Sequence, residues 1–189
     1  MSEILKSLEK NKKIALVIRH ADRNKIPEGS FGDEVQLNTK GKENAYKFGE
    51  QLIDYKVNKI FTSPIFRCVQ TANQIVKAYK QTVDIEQTSN LGEPGTYIYD
   101  TAKAGKYFLE FGYEKMYLEY VSGKEIPGLR GREGSDILYQ FIKENTVKEG
   151  ITIFVTHDII IANFDFHLSG KIYSKENWIP FLGGLVLDF

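Results

Sequence analysis

Arg19, His20, Arg23, Arg67 and His157 are the residues whose types, if brought together, would do chemistry on phosphorus. Arginine forks match phosphoryl oxygens, a neutral imidazole carries a lone pair that can attack phosphorus, and phosphoryl transfer asks mainly for positioning and charge neutralisation. The spacing gives the grouping its weight. The apolar run "KIALVI" (13–18) leads straight into Arg19 and His20, with Arg23 four positions past Arg19. The run "ITIFVT" (151–156) leads into His157, and "TSPIFR" places Arg67 one turn into a helix that follows "KIFTS" (59–63). One histidine at the end of a strand is ordinarily a hydrogen-bonded structural residue; three such ends delivering this set to one edge is the composition of a phosphate site.

The elements that must position them read as an alternation. "KIALVI" is short, continuous and β-branched, as a central strand covered on both faces would be. Ala45, Phe48, Gly49, Leu52 and Ile53 repeat at helical spacing after an N-cap at Asn38 or Thr39, and "KIFTS" is a second strand. Ile65, Cys68, Val69, Ala72, Ile75, Val76 and Tyr79 form another helical stripe behind Pro64, and "TVDIEQT" (82–88) reads as a more exposed third strand. Further on come a helix opened by Ser135, the strand "ITIFVT", a helix over 158–168 and a closing exposed strand "GGLVLDF" (183–189). Strand and helix in turn argue for an α/β fold, a three-layer α/β/α sandwich around a mostly parallel sheet. Such sheets hold ligands beyond the carboxyl ends of their strands, where these residues fall.

Between the third strand and the later helix, from about 90 to 134, the composition turns to glycine and aromatics, with helix expected over 101–122. This stretch reads as a cap-like insertion in one domain spanning 1–189. Its aromatics, among them Tyr97, Tyr107, Phe108 and Tyr113, are expected to form a small satellite core more readily than a substrate platform.

Composition removes several function classes. A chain of 189 residues with 42% apolar content is the size of one ordinary globular domain. Lys plus Arg balances Asp plus Glu at 25 each, so nothing in bulk charge draws the chain to nucleic acid or an anionic membrane. The single cysteine, Cys68, excludes an internal disulfide and a four-thiolate zinc site, and fits a reducing compartment. The charged N-terminal "MSEILKSLEKNKK" lacks the apolar core of a signal peptide, and no apolar run approaches the roughly 20 residues of a membrane span. A cytoplasmic protein is expected. With three histidines the ligand set of a metal-dependent phosphohydrolase is hard to fill, and no Gly-rich loop with Lys-Ser or Lys-Thr is present for nucleoside triphosphate hydrolysis.

Four segments taken in order, "VIRHADR", "LNTKGKENAYKFGEQL", "IFTSPIFRCVQTA" and "TIFVTHD", resemble the histidine phosphatase superfamily, which contains cofactor-dependent phosphoglycerate mutases and histidine acid phosphatases. The combination of "TSPxxRxxQTA" with an upstream Arg-His strand end is the specific part. The usual glycine after the histidine is replaced by Ala21. The resemblance implies that His20 is the nucleophile and forms a phosphohistidine, while Arg19, Arg67 and His157 clamp the phosphoryl oxygens. Arg23 matches a third phosphate-binding arginine of the acid-phosphatase pattern. No metal and no cofactor is needed in that scheme.

The proton donor is open. A Leu-x-Glu segment after the third strand carries it in the mutase-like branch, and Leu91-Gly92-Glu93 fits. The aspartate after the second histidine carries it in the acid-phosphatase branch, and Asp158 fits, favoured slightly by its covalent link to His157. Plainer readings stand beside these: Glu93 as an exposed turn residue in "GEPG", Asp158 as the cap of the helix it opens, Cys68 as core packing, Asp22 as a partner for Arg23 or simple charge balance, and His167 as a helix C-terminal residue favoured by the dipole.

The expected function is metal-independent phosphomonoester hydrolysis. The alternatives are a binding module for phosphate or phosphoprotein that has lost turnover, and a phosphomutase, for which the downstream "G-x-x-E-G" is missing. Expected ligands are a small phosphate ester or phosphorylated substrate, or a free phosphate or sulfate ion. The chain is expected to be a monomer, or a homodimer paired through "GGLVLDF".

Overall fold

Ile14 to Ile18 and Ile151 to Val155 are sealed on both faces, none of them more than 2% exposed, as the mainly apolar runs of a covered parallel sheet must be. In the computed structural model, described for residues 4–5, 8, 12–30 and 32–189, these runs are the two central strands. The chain order is β1 (Lys13–Arg19), α1 (Thr39–Glu50), β2 (Val57–Thr62), α2 (Phe66–Tyr79), β3 (Ile85–Gln87), α3 (Thr101–Val121), α4 (Arg132–Asn145), β4 (Gly150–Thr156), α5 (Asp158–Ser169) and β5 (Gly184–Asp188). The sheet runs β3-β2-β4-β1-β5. β1 to β4 are parallel and β5 alone is antiparallel to its neighbour β1.

The strand period of two divides the core. Ile14, Leu16 and Ile18 join Ile153 and Val155 under α1 and α2, with Phe48, Ala72 and Ile75. Ala15, Val17 and Phe154 point the other way and pack with Leu138, Ile160 and Phe164 of α4 and α5. Helices thus cover both faces of the mostly parallel sheet, the three-layer arrangement the alternation implies. α1 and α2 meet closely at Gly49, where a Cβ would stand 2.3 Å from the Ile75 carbonyl oxygen.

Several local expectations shift. β3 forms over 85–87 only, short as an edge strand tends to be. α4 begins at Arg132 rather than Ser135, and Ser135 is a buried residue within it, bonded to Tyr97 Oη at 2.5 Å. Its start has no side-chain cap, so no Ser/Thr/Asp signal marks it. The closing strand is half-buried rather than exposed, because β1 and α5 cover part of it. α3 matches the expected range but breaks at Gly112, whose φ of 77° and ψ of 164° divide it into two segments. Most of the N-terminal segment read for a targeting signal lies outside the described residues. Among the described residues no helix is long and apolar enough to cross a membrane.

Candidate active site

Three parallel strand ends set the geometry. Arg19 pairs with Thr156 and Thr62 with Val155, so the residues that follow, His20, His157 and Ser63, come out side by side. The His20 amide donates to the Thr156 carbonyl at 3.0 Å and the Ser63 amide to the Val155 carbonyl at 3.0 Å, which extends the ladder one step past the sheet. α2 and α5 then start beside these ends, and their N-terminal dipoles favour an anion there.

Arg67, from the first turn of α2, binds both histidines with one guanidinium group. Its Nε donates to His20 Nε2 at 3.0 Å, its Nη2 to His157 Nδ1 at 3.3 Å and its Nη1 to the Gly32 carbonyl at 2.5 Å. A guanidinium only donates, so both accepting imidazole nitrogens carry lone pairs. The proton of His20 is therefore on Nδ1, donated to the Ala21 carbonyl at 2.8 Å. That of His157 is on Nε2, 3.2 Å from Ser63 Oγ. Burial and the neighbouring Arg67 and Arg19 charges push the His20 pKa down to about 3, and the same causes hold His157 well below the ordinary imidazole range. Both rings are neutral at physiological pH.

Arg19 is fixed from the far side. Its Nη2 pairs with Asp158 Oδ2 at 2.7 Å, its Nη1 donates to the Ile179 carbonyl at 2.6 Å, and Phe181 lies under it at 4.1 Å. Its Nε is buried without a partner, a donor that an incoming oxygen would satisfy. Asp158 also accepts from Trp178 Nε1 at 2.9 Å and from the Ile159 amide at 2.9 Å, so three donors hold it as an acceptor. It is the first residue of α5 and His157 is the N-cap, which replaces the expectation that Asp158 caps the helix.

Ala21 fits without strain. It is fully buried, its amide donates to Thr71 Oγ1 at 3.0 Å, and it does not take the positive φ that would require glycine. The next turn is held against α1 by close approach: a Cβ on Gly41 would meet the Asp22 carbonyl oxygen at 1.8 Å. Asp22 pairs with Lys40 and accepts from Asn44, with no bond to Arg23. Arg23 is half-buried and donates to the Asn24 carbonyl at 2.9 Å.

Glu93 reaches the same place from the loop after β3. Thr156 Oγ1 donates to the Leu91 carbonyl at 2.6 Å, which ties that loop to the end of β4. The Glu93 side chain is exposed, in the turn that the sequence expects, and it also lines the cavity that holds the other site residues. Desolvation by the groups crowded around it, with Asp33 and Asp158 nearby, pushes its carboxyl up to about 7. The cavity, about 260 Å³, is lined by Arg19, His20, Arg23, Arg67, Glu93, His157 and Asp158, so every site residue expected from the sequence faces one space.

The site also uses residues the sequence reading missed: Ser63, Thr71, Trp178 and Phe181. The signal for the last two was the antiparallel sense of the closing strand, which returns "WIPF" to the end of β1. Cys68 is buried as expected, and burial raises its thiol to about 12. His167 does more than face a helix dipole, because its Nε2 lies 2.9 Å from Tyr120 Oη. Among the described residues no cluster of three or more His, Cys, Asp or Glu side chains suits a metal ion.

The family model described as histidine phosphatase superfamily (branch 1) matches residues 15–102. Over that stretch the chain is similar to the histidine phosphatase superfamily. A 2,3-bisphosphoglycerate-dependent phosphoglycerate mutase from Thermoplasma acidophilum is 26% identical over 160 residues, 82% of this chain and 76% of that protein. A phosphoglycerate mutase structure from Bacillus anthracis superposes with a TM-score of 0.63 at 16% identity, covering 95% of this chain and 89% of the other. A mycobacterial glucosyl-3-phosphoglycerate phosphatase with inorganic phosphate gives 0.58 at 14% identity, covering 90% and 86%. The two solved structures, one named as a mutase and one as a phosphatase, share the α/β fold of this chain.

Proposed function

We propose that the protein is a metal-independent phosphomonoester hydrolase that works through a phosphohistidine on His20. The observation that carries this reading is the tautomer of His20. Its proton is held on Nδ1 by the Ala21 carbonyl and its Nε2 lone pair is directed at the arginine cluster. The phosphoryl oxygens take the Arg67 donors now resting on the imidazoles, the orphaned Arg19 Nε, and Arg23. His20 Nε2 attacks phosphorus, the ester P–O bond breaks, and Glu93 gives its proton to the departing alcohol oxygen. Glu93, now a carboxylate, takes a proton from water; the water oxygen bonds to phosphorus, the P–N bond breaks and inorganic phosphate leaves.

Glu93 suits the donor role because its raised pKa leaves it protonated in a useful fraction near neutral pH. Asp158 makes all its bonds as an acceptor, two of them from Arg19 and Trp178, and acts as a positioning residue for Arg19. The mutase reading is supported by the relatives' names, but the hydrolytic one needs only the groups present. The module reading loses its two motives, since Ala21 is accommodated and an acid stands in the pocket. The test is turnover of an alkyl phosphate with a strong chelator present. Chelator-resistant hydrolysis that disappears in His20→Ala is the expected result; hydrolysis surviving in His20→Ala overturns the reading.

A further inference from the structure

The cavity has two unlike sides. All its charged residues, Arg19, Arg23, Arg67, Glu93 and Asp158, gather where the phosphoryl group goes, and Arg23 is electrostatically coupled to Arg67, Arg19 and Asp158. The rest of the lining includes Ile98, Phe108, Tyr113, Met116, Ile159 and Trp178, none of them charged. Phe108, Tyr113 and Met116 come from α3, and Tyr113 rests on Trp178 with ring centroids 5.2 Å apart. Trp178 in turn donates to the Asp158 that fixes Arg19.

We infer, on the basis of the hydrolase reading above, that the substrates are phosphomonoesters of small uncharged apolar alcohols, of about one ring. A carboxylate on the leaving group, as in a phosphoglycerate or phosphoserine, would be drawn out of water onto this wall with no further cation to receive it. The cations of the cavity, Arg19, Arg23 and Arg67, are those that the phosphoryl group takes in the hydrolase reading. A ring, by contrast, covers Phe108 and Trp178 and removes apolar surface from water. A volume of about 260 Å³ lies just under the roughly 300–1,000 Å³ of drug-sized sites, which leaves space for one ring beside the phosphoryl group.

The test uses the full chain and three alkyl esters of comparable leaving-group chemistry: benzyl phosphate, 3-phosphoglycerate and O-phosphoserine. The expected kcat/KM for benzyl phosphate is ~10- to 100-fold above the other two, the range that burial of one ring supports. Phe108→Lys, which sets a cation on the apolar wall, lowers that ratio at least about tenfold. Phe108→Ala lowers it in the same direction and serves if the lysine variant fails to fold. Preference for either carboxylated ester, or a ratio unmoved in both variants, overturns this inference and leaves the hydrolase reading standing. No turnover of any ester, with no phosphate captured on His20, overturns the hydrolase reading and this one with it.

Discussion

At the residue scale, chemistry depends on which nitrogen is protonated and which carboxyl still holds its proton. His20 must be neutral to attack and Glu93 protonated to donate, and their pKa values of about 3 and about 7 bracket that state. In the free enzyme, kcat/KM is therefore expected to rise as pH passes 3, hold a plateau, and fall above about 7. The substrate's own ionisation near 6 is superimposed but is unchanged by mutation. Glu93→Gln is predicted to remove the alkaline limb and to cost ~10²–10⁴-fold on an alkyl ester, and less on a p-nitrophenyl ester, whose leaving group needs no proton. Asp158→Asn is predicted to keep the alkaline limb and mainly raise KM by loosening Arg19; a lost limb in that variant would make Asp158 the acid. The Arg, His and Glu types were legible in the sequence, but the choice between Glu93 and Asp158 was not. Both candidates satisfy the motif, and only the arrangement of donors around Asp158 and the desolvation of Glu93 separate them.

At the scale of elements, the site is as good as the joints that hold its loops. The turn after His20 is pinned by Thr71 and by Gly41, neither of which touches substrate. Thr71→Val leaves the buried Ala21 amide unsatisfied and is predicted to cost about 1–3 kcal/mol. Gly41→Ala drives a methyl into the Asp22 carbonyl and is predicted to cost about 1–3 kcal/mol. Urea unfolding measures both, and an unchanged midpoint for Gly41→Ala would refute the close-approach argument. The central strands were legible as short apolar runs and α1 and α2 by their clean apolar periods, while α5 is apolar nearly all round. The start of α4 was not, since tertiary contacts between Ser135 and Tyr97 carry it where a side-chain cap is missing. The cap aromatics divide between the two roles weighed for them: Tyr97, Tyr117 and Tyr120 are buried in the core, while Phe108 and Tyr113 face the cavity. Helical spacing alone puts residues on a face without saying what that face meets.

At the scale of the whole molecule, the two buried neutral histidines link folding to pH. Each has a folded pKa below its unfolded value of about 6.5, so the stability they contribute is present above 6.5 and is lost as pH falls toward the folded value, about 3 for His20. Between pH 6.5 and 5 the loss from His20 is on the order of 1.5 kcal/mol, and Glu93, with its carboxyl raised to about 7, acts in the opposite sense over the same range. His20→Asn is predicted to remove that contribution, so that Tm falls less than in wild type between pH 6.5 and 5. A Tm slope identical to wild type would show that His20 is not buried neutral. Inorganic phosphate is expected to raise Tm by mass action, and the elevation should vanish in Arg67→Ala.

The central claim, a covalent phosphohistidine on His20, is tested most directly by rapid quenching of the protein with a ³²P-labelled alkyl phosphate, followed by peptide mapping. The account predicts label on the peptide containing His20, labile to acid, stable to alkali and absent in His20→Ala. It further predicts that the label builds up in Glu93→Gln when an activated p-nitrophenyl ester is used, because release then lacks its base. Hydrolysis that proceeds with no label on that peptide, or label that persists in His20→Ala, would contradict it.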